Sequence, residues 1–409
     1  MHPAKDILET KSKKLSGKKI ILGVTGSIAA VETVKLVREL IRHGATVIPV
    51  MTKSAQEIIG EKALHFASGE KVITEISGEV EHVKYCGARE TRADLLLIAP
   101  ATANTISKIA SGIDDTPVTT FATTAIGTGI PVMIVPAMHE TMYRHTVLQE
   151  NIKKLEKLGV LFINPKIAES KAKFPEIEEI VEWVIRILGK RDYLGKKILV
   201  IGGASYEPLD EMRVITNLST GKMSMAIAKT AFERGGDVEM LAGRMEVQVP
   251  PYIPVTRFHT VEDLMEKLGK LRIQDFQYIF VPAALSDFGV DMKKGKIPSD
   301  RTLEITLKPL PKVIIELRKQ SDAIIVGFKA EATENEEILA NKAYDALIKN
   351  KIDYVCANQL RNVGADSGEV LVLDRNGKHQ KIKGTKEEIA ERIFDLISPS
   401  TVAEKFNNH

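Results

Sequence analysis

Two short apolar runs, each leading through glycine toward a helical pattern, organise the chain. The stretch Leu15-Ser16-Gly17-Lys18-Lys19-Ile20-Ile21-Leu22-Gly23 recurs loosely as Leu194-Gly195-Lys196-Lys197-Ile198-Leu199-Val200-Ile201-Gly202. Neither run alternates apolar with polar positions. A strand buried on both faces reads this way, and parallel sheets bury both faces. The chain therefore begins an α/β unit twice, with the boundary near residues 189–194, after a helical pattern over 177–188.

In the first half, residues 20–24 predict a strand and Gly26-Ser27 a turn. Ile28, Val31, Val34, Val37, Leu40 and Ile41 then recur at helical spacing over 28–42. Gly44 ends that helix, 46–51 is the next strand, and 94–99 and 131–135 are two more. Strand–helix alternation is the signature of a parallel sheet with helices on both faces. The second half repeats it: strands over 197–201, 238–241, 278–282, 323–327 and 354–357, a helix over 222–233, and a closing hairpin of 369–373 and 379–382 about Arg375-Asn376-Gly377. The expected fold is α/β, two tandem Rossmann-like doubly wound domains, the first flavodoxin-like. Residues 1–17 are expected as a mobile tail, 18–190 as the first domain and 191–403 as the second.

Composition narrows the partners. A chain of 409 residues exceeds the usual reach of one core. A formal charge of +3 is too balanced for an electrostatic nucleic-acid binder, so no nucleic-acid partner is expected. Cys86 and Cys356 are the two cysteines, far apart, which excludes a disulfide framework and suggests a reducing, cytoplasmic setting. The lysine-rich start has no signal-peptide core, no apolar run reaches the ~20 residues of a membrane span, and no membrane partner is expected.

In open α/β sheets ligands sit beyond the carboxyl ends of the strands. The candidate loops of the first half are 25–29, 51–55, 100–105 and 136–142, all rich in small or hydroxylated residues. Gly26 and Ser27 let the backbone approach a phosphate at a helix N-terminus. The full dinucleotide glycine pattern is missing, and Val50-Met51-Thr52 stands where a ribose-binding acid would be, which favours a mononucleotide over NAD. The blocks Gly23-Val-Thr-Gly-Ser-Ile-Ala-Ala30, Ala99-Pro-Ala-Thr-Ala-Asn-Thr105 and Pro136-Ala-Met138 resemble, in order and spacing, the flavin-dependent cysteine decarboxylases. That resemblance implies FMN bound by Gly26, Ser27, Thr52, Thr102, Ala103, Asn104, Thr105 and Ala137, and His82 in Glu81-His82-Val83 as a catalytic histidine. It also implies a substrate-binding role for His139, which replaces the family's asparagine in Pro-Ala-Met-Asn and can donate the same hydrogen bond to a carboxylate. The family's flap cysteine has no counterpart in Ala168-Glu-Ser-Lys-Ala-Lys-Phe-Pro-Glu176. Cys86 lies four residues after His82 but reads as a small buried apolar residue. His139, Glu140 and His145 lack zinc-helix spacing, so no metal is assigned to them.

The second half carries Glu207-Pro-Leu-Asp-Glu-Met-Arg213-Val-Ile-Thr-Asn217-Leu-Ser-Thr-Gly221-Lys222-Met223. It closely resembles the signature of phosphopantothenate–cysteine ligases. Val281-Pro-Ala283-Ala284-Leu-Ser-Asp287-Phe288, Lys296-Ile297, Gly327-Phe328-Lys-Ala-Glu331 and Cys356-Ala-Asn358 match further blocks of that family. The resemblance implies nucleotide contacts from Ala283, Asp287, Lys296, Phe328 and Lys342, with Asn217 and Arg213 holding the acyl group. Arg213 is read equally as a salt-bridge residue, and Lys222 as a helix residue outside the chemistry. Joining a carboxylate to an amine in water requires activation, by attack on the α-phosphate of a nucleoside triphosphate with Mg²⁺ and Lys296 offsetting charge; the resemblance to the fused members of the family implies CTP.

Together these resemblances imply a bifunctional enzyme of coenzyme A biosynthesis that joins 4′-phosphopantothenate to cysteine and then decarboxylates the product. The alternative is a ligase with a silent flavin domain. They also imply a homo-oligomer, trimeric through the flavin domains and dimeric through the ligase domains.

Overall fold

The central run of the first half becomes β1 (Lys19–Val24). It is followed by α1 (Thr33–Arg42), β2 (Thr46–Met51), α2 (Glu61–Ser68), α3 (Glu81–Cys86), β3 (Leu95–Ala101), α4 (Ala103–Ala110) and α5 (Pro117–Thr128). Then come β4 (Val132–Pro136), α6 (Thr146–Lys157), β5 (Leu161–Phe162) and α7 (Ile177–Leu188). These elements belong to a computed structural model that describes residues 2–168, 171–298, 302–360 and 364–398. The sheet order is β2-β1-β3-β4-β5, all parallel, which is the flavodoxin-like order. Period-two alternation sends successive residues to opposite faces. Ile20, Leu22, Leu95 and Leu97 therefore enter the core under α1 and α7, while Ile21, Leu96 and Ile98 enter the core under α4, α5 and α6.

The second half holds β6 (Lys197–Gly202), α8 (Lys222–Glu233), β7 (Asp237–Ala242), β8 (Val255–Arg257), α9 (Val261–Lys270), β9 (Tyr278–Val281) and α10 (Val313–Gln320). It continues with β10 (Ile324–Glu331), α11 (Glu336–Asn350), β11 (Tyr354–Gln359), β12 (Ser367–Asp374), β13 (His379–Thr385) and α12 (Lys386–Leu396). Its eight strands run β8-β7-β6-β9-β10-β11-β12-β13. The first six follow the Rossmann order, and β12 and β13 are antiparallel additions at one edge. The chain divides into two compact units, Met1–Gly189 and Lys190–His409.

The internal echo has a structural basis and a different alignment. Gly17 and Gly195 share φ +73° immediately before β1 and β6, a backbone region that glycine enters freely. Counting back from these glycines pairs Leu15 with Tyr193, both fully buried, while Leu194 is 57% exposed. The echo thus begins one residue earlier in the second copy than the apolar pattern suggests.

Three expectations need correction. Residues 28–42 are not one helix: Ile28–Glu32 is a 3-10 turn, and Ile28 and Val31 are exposed beside a cavity instead of lying in the core. The N-terminal segment is not a solvated arm. The amides of Glu9, Lys11, Ser12 and Leu15 donate to the carbonyls of Ile41, Arg42 and His43, at 2.8–3.2 Å, satisfying groups that the end of α1 leaves open. Leu15 and Ala4 are buried there, and Lys11 pairs with the buried Glu39. Finally, the hairpin does not close the unit, because α12 follows it directly.

Candidate active sites

At the carboxyl ends of β1, β3 and β4 three loops meet. Thr25, 1% exposed, ties two of them: its Oγ1 donates to the Pro100 carbonyl at 2.9 Å and accepts from the Thr102 amide at 3.0 Å. A Cβ on Gly26 would lie 2.6 Å from Ser54 Cβ, so this turn has no room for a side chain. Thr102 caps α4, accepting from the Thr105 amide at 3.4 Å, and the Ala137 amide donates to the Ala101 carbonyl at 3.0 Å. A cavity of about 560 Å³ opens between these loops, within the range of small-molecule sites.

Gly26, Ser27, Thr102, Ala103 and Ala137 line that cavity, and so does His139. Thr52, Asn104, Thr105 and His82 are not among its lining residues. Thr52 and Thr105 are buried beneath the loops, Thr52 capping a short helix through the Ala55 amide at 3.2 Å, while Asn104 is exposed in the first turn of α4. His82 stands on α3, and its Nδ1 is buried without a hydrogen-bond partner among the described residues, a costly state for a group with no ligand to meet. Two hydrogen bonds brace the loop before it, from the Ser77 hydroxyl and amide to Glu81, at 2.6 and 2.9 Å. Burial works against the Glu81 charge, yet those bonds hold its carboxyl below the usual range. Cys86 ends the same helix, fully buried, and burial pushes its thiol up to about 12, which makes it a packing residue and no nucleophile.

The far wall of the cavity comes from a ribbon. Met138–His139 pairs antiparallel with Lys171–Lys173, setting Met138 opposite Ala172, and Ala172, Lys173 and Phe174 line the cavity. Part of the cysteine-free stretch, residues 169–170, lies outside the described residues. The cavity offers hydroxyls and a helix N-terminus at one end and Ile28, Val31, Met138, Met142 and Phe174 elsewhere. That combination fits a flat apolar ring carrying a phosphate.

In the second unit a hairpin, Tyr206–Pro208 with Val214–Thr216, carries the ligase-like motif. Asp210 in its turn is 2% exposed and accepts from the amides of Met212, Arg213 and Ile297 at 2.8, 2.7 and 3.0 Å. The Ile297 amide foremost, with those of Met212 and Arg213, holds its carboxyl at about 2. Arg213 Nη1 donates to Asp210 at 2.8 Å and to the Ile297 carbonyl at 3.0 Å, so Arg213 makes the salt bridge. Asn217 Nδ2 donates to the Leu285 and Ala284 carbonyls at 2.9 and 3.4 Å. These bonds gather Arg213, Asn217, Ala283 and the segment of Lys296 into one region. Asp287 pairs with Lys312. Phe328 is half-buried on β10, and Lys342 pairs with Glu331 at the end of that strand, at 2.8 Å. Lys222 is an anchor, donating to Asp366 at 2.6 Å.

The family models agree with this two-part layout. The Flavoprotein model matches residues 8–189, and the DNA/pantothenate metabolism flavoprotein C-terminal domain matches 193–400. The chain is thus a flavoprotein unit followed by a pantothenate-metabolism unit. Named relatives cover nearly its whole length. The coenzyme A biosynthesis bifunctional protein CoaBC of Thermococcus kodakarensis is 47% identical over 401 residues, 97% of this chain and 99% of that one. The protein of the same name from Methanocaldococcus jannaschii is 42% identical over 97% of both chains, and that of Escherichia coli 31% identical over 94% of this chain and 97% of its own. The chain belongs to the family of bifunctional coenzyme A biosynthesis proteins. Among solved structures, the DNA/pantothenate metabolism flavoprotein from Streptococcus pneumoniae is 26% identical with TM-score 0.45, covering 50% of this chain and 98% of that one. The peptidyl-cysteine decarboxylase EpiD is 26% identical with TM-score 0.37, covering 41% and 98%.

Proposed function

We infer that this chain performs two consecutive steps, the CTP-dependent ligation of 4′-phosphopantothenate with cysteine and the FMN-dependent decarboxylation of 4′-phosphopantothenoylcysteine to 4′-phosphopantetheine. The observation that carries this reading is the pairing, in one chain, of a glycine-cradled cavity at β1, β3 and β4 with the Asp210-braced hairpin of the second unit. The product of the second unit is the substrate of the first.

For ligation, the carboxylate of 4′-phosphopantothenate attacks the α-phosphorus of CTP and pyrophosphate leaves. Mg²⁺ enters with the triphosphate, and Lys296, on the exposed face beside Ile297, offsets phosphate charge. Asn217, Ala283, Asp287, Phe328 and Lys342 are proposed to surround the acyl nucleotide. Arg213 holds the hairpin in shape through Asp210, so the cysteine amine meets a preformed site.

For decarboxylation, FMN when bound supplies the reversible two-electron oxidation at the sulfur-bearing carbon, without which the departing carboxylate leaves no stable carbanion. Ser27, Thr102 and the α4 N-terminus are proposed to hold its phosphate, and Gly26 and Ala137 to let the ring approach the backbone. His139 is proposed to bind the substrate carboxylate, and His82 to move a proton with its unpartnered Nδ1. Exposed Ile28 and Val31 at the cavity rim, 77% and 47%, support contact with another copy through this unit. A homo-oligomer, trimeric through this unit and dimeric through the ligase unit, is proposed from the family resemblance. The free thiols Cys86 and Cys356 are in keeping with a cytoplasmic setting.

A second reading, ligase activity with a silent flavin unit, is favoured by His139 and by the cysteine-free 168–176 stretch alone. Purified protein given phosphopantothenoylcysteine in one assay, and 4′-phosphopantothenate, cysteine and CTP in another, decides between them. Yellow enzyme that releases CO₂ through many turnovers supports both activities. Enzyme that consumes CTP but releases no CO₂ supports the second reading, and colourless enzyme inert to CTP refutes both.

A further inference from the structure

Loss of CO₂ from the oxidised substrate leaves an enethiolate, and that anion must take a proton on carbon before the withheld electrons can return. Three residues lining the cavity carry or can carry charge: Glu32, His139 and Lys173. Glu32 is paired with Lys35 at 2.9 Å. His139 is exposed. Lys173 is half-buried, on the ribbon whose Ala172, 2% exposed, packs opposite Met138. This pairing fixes the ribbon backbone, and with it the root of the lysine side chain, against the cavity wall. A lysine ammonium has three donors and no acceptor, so it both attracts an anion and gives it a proton. Its attraction is stronger where water is partly excluded.

We propose that Lys173 is a catalytic residue of the decarboxylase, the acid that protonates the enethiolate carbon. This rests on the decarboxylase reading above. The carbon–carboxylate bond breaks, CO₂ leaves, and its electron pair forms the enethiolate. A proton moves from the Lys173 ammonium to the carbon that bore the carboxylate, giving a thioaldehyde and a neutral amine. FMN, when bound, would supply the return of the hydride withheld at the outset, which turns the thioaldehyde into a thiolate. Solvent supplies one proton to sulfur and one to the amine. The substrate's thiol proton, released when the hydride is first taken, offsets one of these two, so the net change is loss of CO₂ with uptake of one proton.

Anaerobic assays of wild type, Lys173→Gln and Lys173→Arg test this, with flavin content and CTP-dependent pyrophosphate release confirming that each variant is folded. The Arg variant keeps the charge but cannot act as an acid. Wild type should turn over many times and release the saturated thiol. Both variants should give one burst of CO₂ per flavin, a bleached flavin, and an enethiol two hydrogens lighter by mass. Steady turnover should fall at least ~100-fold, the lower bound for general acid catalysis. Saturated thiol formed by Lys173→Arg at the wild-type rate would show that charge alone suffices and overturn the proposal. So would failure of Lys173→Gln to bleach the flavin, which would place the lysine before CO₂ loss, or wild-type kinetics in both variants. A wild-type enzyme that releases no CO₂ at all would instead sink the underlying decarboxylase reading.

Discussion

Asp210 and Gly26 each carry a constraint that a single atom decides. Asp210 is braced by three amides and Arg213, and its carboxyl is held at about 2, below the ordinary carboxylate value of about 3.9. A depressed carboxylate contributes stability above the unfolded value and loses it as pH falls toward the folded one. The stability difference between wild type and Asp210→Asn should therefore be complete at pH 5 and shrink between about pH 4 and 2, read by denaturant melts across that window. A pH-independent difference would contradict the role given to its charge. Gly26→Ala places a Cβ 2.6 Å from Ser54 Cβ, and the turn must shift to admit it. Flavin content per chain, read from the visible spectrum, should drop while CTP turnover stays unchanged. Of these two residues, Gly26 was legible in the sequence as a turn beside a ligand, and Asp210 was visible only inside a motif. Two of its amide partners, Met212 and Arg213, follow it directly in the turn, but the Ile297 amide comes from a segment 87 residues on, which no local pattern encodes.

Elements with an unbroken apolar run were the most legible. β1, β2 and β6 are centred where the pattern puts them, because a strand buried on both faces leaves no polar position to blur the reading. β8 was illegible for the opposite reason: Val255, Thr256 and Arg257 are all exposed, so burial imposes no pattern. α12 passed unread although its start is marked by a reciprocal cap, Thr385 accepting from the Glu388 amide at 3.2 Å and Glu388 from the Thr385 amide at 2.8 Å. Thr385→Ala should cost about 1 kcal/mol in a denaturant melt. α12 also closes around Arg234, whose side chain is 4% exposed and pairs with Asp192, Glu391 and Asp395 while lying over Tyr193 and Phe394. Arg234→Ala should destabilise the second unit by about 3 kcal/mol, the low end for breaking a buried ion pair, because its acidic partners keep part of their water. No loss of stability would mean that the aromatic contacts alone hold α12 in place.

Across the whole molecule, the two sheets follow two different doubly wound orders, so the internal echo marks a shared way of starting a unit, not a duplicated domain. The first glycine loop, the hydroxyl loop and Ala137 converge on one cavity, as their places at strand ends suggested. Lys173 escaped notice because a charged residue in a short ribbon has no periodic signature, and only pairing with Met138–His139 brings its segment to the cavity. The central claim is that one chain both makes and consumes phosphopantothenoylcysteine. The most direct measurement gives it 4′-phosphopantothenate, CTP and cysteine labelled in its carboxyl carbon. Labelled CO₂ should appear only with CTP present and approach one molecule for each pyrophosphate released. Pyrophosphate without labelled CO₂, or labelled CO₂ that does not need the nucleotide, would contradict the account.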